Sequence, residues 1–218
     1  MPKQLYYFVF ILCLATSCAN NKNDASQAQY EEKKSDEPSF IYTYDNASTE
    51  VKWTAFKHMD KVPVGGKFEE VEITGFNPSN KLSDAVKNVS FTINPSSTNT
   101  QDKDRDLKII ANFFGNMLNP TVIYGKIKNI EGSENGNGNV LIRMNGVEKL
   151  IPFDWRVNEN NQFILTTKLN VLDWSLDQAL GVLNTVCLEK HTGKDKVNKL
   201  WPDVEVIVFT TLQKEQSS

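Results

Sequence analysis

Between Ser97 and Phe114 the chain reads STNTQDKDRDLKIIANFF, which gathers three carboxylates, Asp102, Asp104 and Asp106, around the guanidinium of Arg105. Residues of these types at alternate positions suggest calcium binding first. An EF-hand loop, however, needs glycine at its sixth position and glutamate at its twelfth. Those places hold Leu107 and Phe113. Glycoside hydrolysis needs two carboxyl groups with separate roles across a sugar-sized cleft. Here Lys103, Arg105 and Lys108 interleave with the acids and separate nothing. Two readings remain. The Ser, Thr, Asn and Asp side chains bond their own backbone and lead into a helix, or Arg105 and the neighbouring Thr98 and Asn99 meet an anionic headgroup, which a guanidinium pairs with bidentately.

The remaining reactive side chains are few. The histidines are His58 and His191, and Cys187 stands four residues before the second. That pair could share a helix face, but a catalytic zinc takes three protein ligands and a structural one four. No third ligand is evident, so no metal and no cofactor is expected, and Cys187 is read as a small buried hydrophobe. His58 is read as a polar group near a rim. No G-x-S-x-G nucleophile motif occurs, and Gly65-Gly66 follows Pro63 and precedes strand-like residues, unlike a phosphate-binding loop. A net charge of −3 over 218 residues gives no basic surface for nucleic acid.

The elements that position these residues are mostly strands. Val51–Lys57, Lys87–Asn94, Val122–Ile130, Asn139–Met144, Leu150–Val157, Gln162–Leu172 and Val204–Leu212 alternate apolar with polar and are rich in Val, Ile, Thr and aromatics. Asn145-Gly146 between two such runs is the strongest short hairpin signal. Two segments carry helical spacing instead: 103–117, with apolar residues at 107, 110, 113, 114 and 117, and 175–191, with Leu176, Leu180, Leu183 and Cys187. The fold class expected is all-β: a closed antiparallel barrel of about eight strands, since closure removes the edges that an open meander leaves exposed. Eight strands leave an interior that is filled by side chains or holds one ligand.

The N-terminus addresses the compartment. Lys3 and the apolar run Leu5–Ala15 have the length of a secretory h-region and are too short to span a bilayer. Small residues 15–17 lead into Cys18, which resembles the lipobox of bacterial lipoproteins. The organisation expected is a signal peptide (1–17), an acylated Cys18 opening a disordered tether (18–38), and one domain (39–218). Acylation of Cys18 would anchor the chain to a membrane of the cell envelope, on its periplasmic or cell-surface side. With Cys13 removed and Cys18 acylated, Cys187 stays free and no disulfide framework exists.

Three stretches resemble one family. Lys57-His58, Val64, Gly66 and Phe68 within TEVKWTAFKHMDKVPVGGKF resemble the opening of the YceI-like family of lipocalin-like, polyisoprenoid-binding proteins. Ser97, Thr98, Asn99, Arg105, Asp106 and Leu107, ahead of Phe113-Phe114 and Pro120, resemble its second motif. Gly138–Phe153 resembles its strand-and-hairpin region. The resemblance covers about residues 40–172, and Trp174–Pro202 reads as an insertion over one barrel mouth. It implies an elongated apolar interior that binds, without catalysis, an isoprenoid-type lipid such as a polyisoprenoid or an isoprenoid quinone. Trp53, Phe68, Phe91, Ile93, Phe113, Phe114, Tyr124, Phe153, Trp155 and Phe163 are the lining expected, with His58, Thr98, Asn99 and Arg105 near a headgroup. The alternative is a barrel filled by its own side chains that binds an envelope protein or a glycan.

Overall fold

The computed structural model describes residues 40–118 and 122–216. The signal peptide, Cys18, the tether and Pro120 lie outside the described residues.

Among the described residues are eleven strands: β1 (Phe40–Tyr44), β2 (Glu50–Lys57), β3 (Val62–Phe68), β4 (Val71–Thr74), β5 (Ser90–Ile93), β6 (Thr98–Asn99), β7 (Ile123–Gly132), β8 (Asn135–Met144), β9 (Val147–Val157), β10 (Gln162–Asn170) and β11 (Leu200–Gln216). All pair antiparallel in one curled sheet, in the order β4-β5-β7-β8-β9-β10-β11-β2-β3-β6. The two ends of that path are joined by the chain itself. β3 runs into β4 across Glu69-Glu70, and β5 into β6 across Asn94–Ser97. Over this double bulge Glu69 N donates to Ser97 O at 3.1 Å and Asn94 N to Glu70 O at 3.1 Å. One bent stave therefore pairs with β2 along its first half and with β5 along its second, and the ring has about eight staves. β1 extends the β2 stave beside the far end of β11 and leads into β2 through a turn at Asn46–Ser48 capped by Asp45.

The wall is incomplete in one place. β9 and β10 pair only from Phe163↔Val157 to Thr166↔Asp154. Continued by two residues, that register would set Lys168 opposite Pro152, which has no N–H to donate to a ladder. From there β9 stays with β8 and β10 with β11. A single side-chain bond, Thr167 Oγ1 to Pro152 O at 2.8 Å, ties the parted strands.

Among the described residues four helices complete the fold: α1 (Leu82–Val86), α2 (Lys103–Asn112), α3 (Asp177–Val186) and α4 (Leu188–His191). The 103–117 segment is shorter as a helix than its spacing suggests. It ends at Phe113, and a 3-10 turn follows at Phe114–Asn116. Its buried stripe also differs from the expected one. Phe114 and Met117 are buried, whereas Leu107 is 65% exposed. Ile109 and Phe113, four apart, take the inward positions, and Asp106 beside Leu107 turns back to bond Thr100. The second helical segment breaks at Cys187, whose φ of −104° and ψ of 25° end α3 and begin α4. Cys187 is half-buried rather than buried as expected. α1 had no signal in the sequence beyond its buried Leu82, Ala85 and Val86. Among the described residues no helix is long and apolar enough to cross a membrane.

Candidate functional site: an apolar hollow beside a groove of mixed character

Alternation sets the inner face. On β2, Val51, Trp53 and Ala55 point inward; on β8, Val140, Ile142 and Met144; on β10, Phe163, Leu165, Thr167 and Leu169. Between them lies a hollow in two adjoining chambers. The first, of 160 Å³, is walled by β3 to β5, β7, β8, β10 and β11. The second, of 140 Å³, lies beneath α2 and α3 and is closed by Phe113, Phe114, Leu180, Leu183 and Trp201. Phe68, Ile123, Met144, Leu169 and Val206 wall both.

No charged side chain lines either chamber. The few polar groups are already engaged. Tyr44 donates to Ile73 O at 3.2 Å, Thr210 bonds Thr49 at 2.8 Å, Thr167 bonds Pro152 O, and Trp201 Nε1 donates to His58 O at 2.6 Å. Trp53 Nε1 differs: it is closed off from water and has no partner among the described residues. Its ring lies flat over Gly66, where a Cβ would collide with the indole and with Thr100 Cγ2. Such a wall gives a ligand no ionic contact. What it offers is removal of hydrocarbon from water.

Of the lining expected from sequence, Trp53, Phe68, Phe91, Ile93, Phe113, Phe114 and Phe163 border the hollow. Tyr124 does not. It alternates with the inward Ile123 and Gly125, so it stands on the outer face, where Arg143 lies 5.5 Å from its ring centroid. Phe153 and Trp155 point inward but fill space and do not enclose it. Phe153 packs on Gly138, and Trp155 stacks on Phe163 at 5.5 Å and donates to Glu131 O at 2.9 Å. Both sit where β8 carries glycines at 136 and 138, so each large ring occupies the volume its partner strand vacates. Sequence reasoning, drawn to aromatics, missed the aliphatic lining of β7, β8 and β11, such as Ile127, Ile142 and Val208. The alternation of Val140, Ile142 and Met144 with Leu141 and Arg143 carried that signal.

The four residues expected near a headgroup are not brought together. His58 sits with a φ of 62° in the β2–β3 turn, and its Nε2 lies 3.0 Å from Lys190 O. Thr98 and Asn99 pair with the other end of β3; six steps of strand put roughly 20 Å between the two ends. Thr98 is buried and donates to Pro95 O, while Asn99 donates to Glu69 at 2.6 Å and accepts from Gln101 N. Arg105 pairs with Asp102 at 3.1 Å in solvent. Asp102 caps α2 by accepting from Arg105 N, and that bond, with the guanidinium nearby, lowers its pKa. Asp106 accepts from Thr100 N at 2.8 Å and from its hydroxyl at 2.6 Å. The stretch 97–106 is thus a self-bonded loop and helix cap. His191 is desolvated and faces Lys57 and His58, which together lower its pKa to about 4. Its Nδ1 bonds Asn184 Oδ1 at 3.0 Å. Among the described residues no three His, Cys, Asp or Glu side chains gather as a metal site.

Outside the parted strands lies a groove of 520 Å³ of mixed character, with Asn137, Asn139, Asp154, Thr166, Lys168 and Glu205 set among the apolar Pro152, Phe153, Val206 and Ile207. Thr167 and Val206 border both this groove and the first chamber.

A sequence profile of the YceI-like domain matches residues 42–198. The chain belongs to the YceI-like family. The match runs through α3 and α4. Solved structures share the lipocalin-like fold. A polyisoprenoid binding domain from Saccharophagus degradans, implicated in plant cell wall breakdown, aligns with a TM-score of 0.56 at 12% identity, over 83% of this chain and all of that one. BcnA of Burkholderia cenocepacia aligns at 0.55 and 13% identity, over 78% of this chain and 99% of its own. The YceI protein of Campylobacter jejuni aligns at 0.50 and 19%, over 74% and 91%. No curated protein matches the chain in sequence.

Proposed function

We propose that this YceI-like protein binds a long apolar lipid of isoprenoid type, without catalysis, and carries or sequesters it in the cell envelope. The observation behind this reading is the hollow itself: two adjoining chambers walled by apolar side chains, with every hydroxyl on their walls already bonded. Each CH₂ moved from water into such a space contributes about 0.8 kcal/mol, so affinity grows with tail length and needs no charged contact. The Saccharophagus relative's description as a polyisoprenoid binding domain supports the same chemistry. The Cys18 context and the apolar run before it support an acyl anchor, which would hold the barrel at an envelope membrane.

Native mass spectrometry of the full chain purified from its own membranes tests the binding. A copurifying polyprenyl lipid or isoprenoid quinone is the expected result. A barrel that is empty and that also refuses a polyprenol added in detergent would overturn the reading. Palmitate labelling with Cys18→Ala as control tests the anchor, and loss of both label and membrane association is expected.

A further inference from the structure

We propose that the groove between β9 and β10 is where the ligand's head emerges, and that it selects an uncharged, hydrogen-bonding head over an anionic one. This rests on the carrier reading above and assigns that ligand a direction. A tail held in the hollow leaves its polar end to find polar surroundings, which the walls of the hollow do not give beyond Trp53 Nε1, unpartnered among the described residues. The groove does. It shares Thr167 and Val206 with the first chamber, and it lies over the stretch where the ladder stops. Pro152 fixes that stop by lacking an N–H, and one hydroxyl bond, Thr167 to Pro152, is all that spans the parting there. Opening it breaks no run of ladder hydrogen bonds.

The chemistry of the groove decides the head. Its charged walls are Asp154, Lys168 and Glu205. Lys168 is already paired with Glu205 at 2.9 Å, so the field left for a ligand is that of a carboxylate. A diphosphate is repelled there. A quinone carbonyl, by contrast, can accept from the amide of Asn137, from the hydroxyl of Thr166 and from the second N–H of Asn139, whose first donates to Asn129 at 3.0 Å, while a hydroxyl head can also donate to the open carboxylate oxygens. The one guanidinium in the loop the sequence singled out, Arg105, is spent on Asp102.

The test uses the delipidated full chain and three probes: a benzoquinone bearing four isoprene units, geranylgeranyl diphosphate of the same length, and squalene. The wild type should bind the quinone at least about tenfold more tightly than the diphosphate. Asp154→Lys with Glu205→Lys, both on the outer surface, should raise diphosphate affinity about tenfold at low salt and leave squalene unchanged. Asp104→Lys, at the α2 end, should change none of the three. Backbone amide resonances of Asn137, Asp154 and Lys168 should shift with the quinone and not with squalene. If Asp104→Lys moves diphosphate affinity as much as the paired reversal does, or if those amides stay still while the quinone binds, the head lies elsewhere and the inference fails. If the wild type binds none of the probes, the carrier reading itself fails and takes this with it.

Discussion

His191 shows how little at the residue scale is written in a residue's name. In sequence it stood four positions from the only thiol of the folded domain and invited a metal reading. In the fold it is a desolvated ring held neutral by Lys57 and His58, with a pKa lowered to about 4 from an ordinary 6.5. The unfolded chain then takes up a proton first. Stability is full above pH 6.5 and falls as pH drops through the window down to about 4, by on the order of 1 kcal/mol once solvent screening of this half-buried group is allowed for. Urea midpoints measured from pH 7 to pH 4 should show this slope, and His191→Gln should flatten it. Gly125 makes a second prediction at this scale. The Phe91 ring lies over it across the β5–β7 pair, and a Cβ there would strike that ring. Gly125→Val should therefore destabilise by about 1–3 kcal/mol in chemical denaturation, and Phe91→Leu in the same chain should restore part of the loss.

Elements are held together by side chains whose sequence context advertised something else. Asn145-Gly146 announced a hairpin, and the turn joins β8 to β9 with φ of 52° and 76°. Asn145 has a further task that no spacing predicted. Its Oδ1 accepts from Leu118 N at 2.7 Å and its Nδ2 donates to Trp174 O at 2.8 Å, so it clips the segment after α2 and the turn after β10 to one barrel end. Trp174 is fully buried there and donates to Ile142 O. Asn145→Gly keeps the turn and removes the clip. It should cost about 2–3 kcal/mol, because buried partners are left unsatisfied, and calorimetry should show a lower midpoint. α2 itself was legible through the polar residues that lead into it and its apolar spacing, yet the inward face rotated by the Asp106–Thr100 bond placed Leu107 in water. Capping is local and visible in sequence. The rotation of a short helix on a barrel depends on what it packs against, and that is not.

At the scale of the whole molecule, the decisive property is that the two chambers adjoin. Leu169 walls both. Leu169→Trp should therefore shorten the longest chain that binds while sparing short ones. Polyprenols of two to eight isoprene units, titrated against wild type and variant, would check this: affinity should keep rising with length in the wild type and level off in the variant. The added volume should cost about 1–3 kcal/mol of stability, so circular dichroism is needed to confirm that the barrel persists. A level response in the wild type as well would mean that the chambers do not act as one space.

The positions of the longer strands, the Asn-Gly hairpin and the all-β class follow from period-two alternation and turn chemistry, which are short-range properties of adjacent residues. The same alternation, joined to motifs along residues 49–153, pointed to the family. Which face of each strand turned inward, which aromatics enclosed space and which filled it, and the parting at Pro152 were settled by register between distant strands. A shift of one residue in any pair exchanges the inner and outer faces, and nothing within a strand records its partner's register. Tyr124 and Trp155 carry the same aromatic signature as Phe91. Only closure of the sheet put one outside, one in the packing and one on the wall of the hollow.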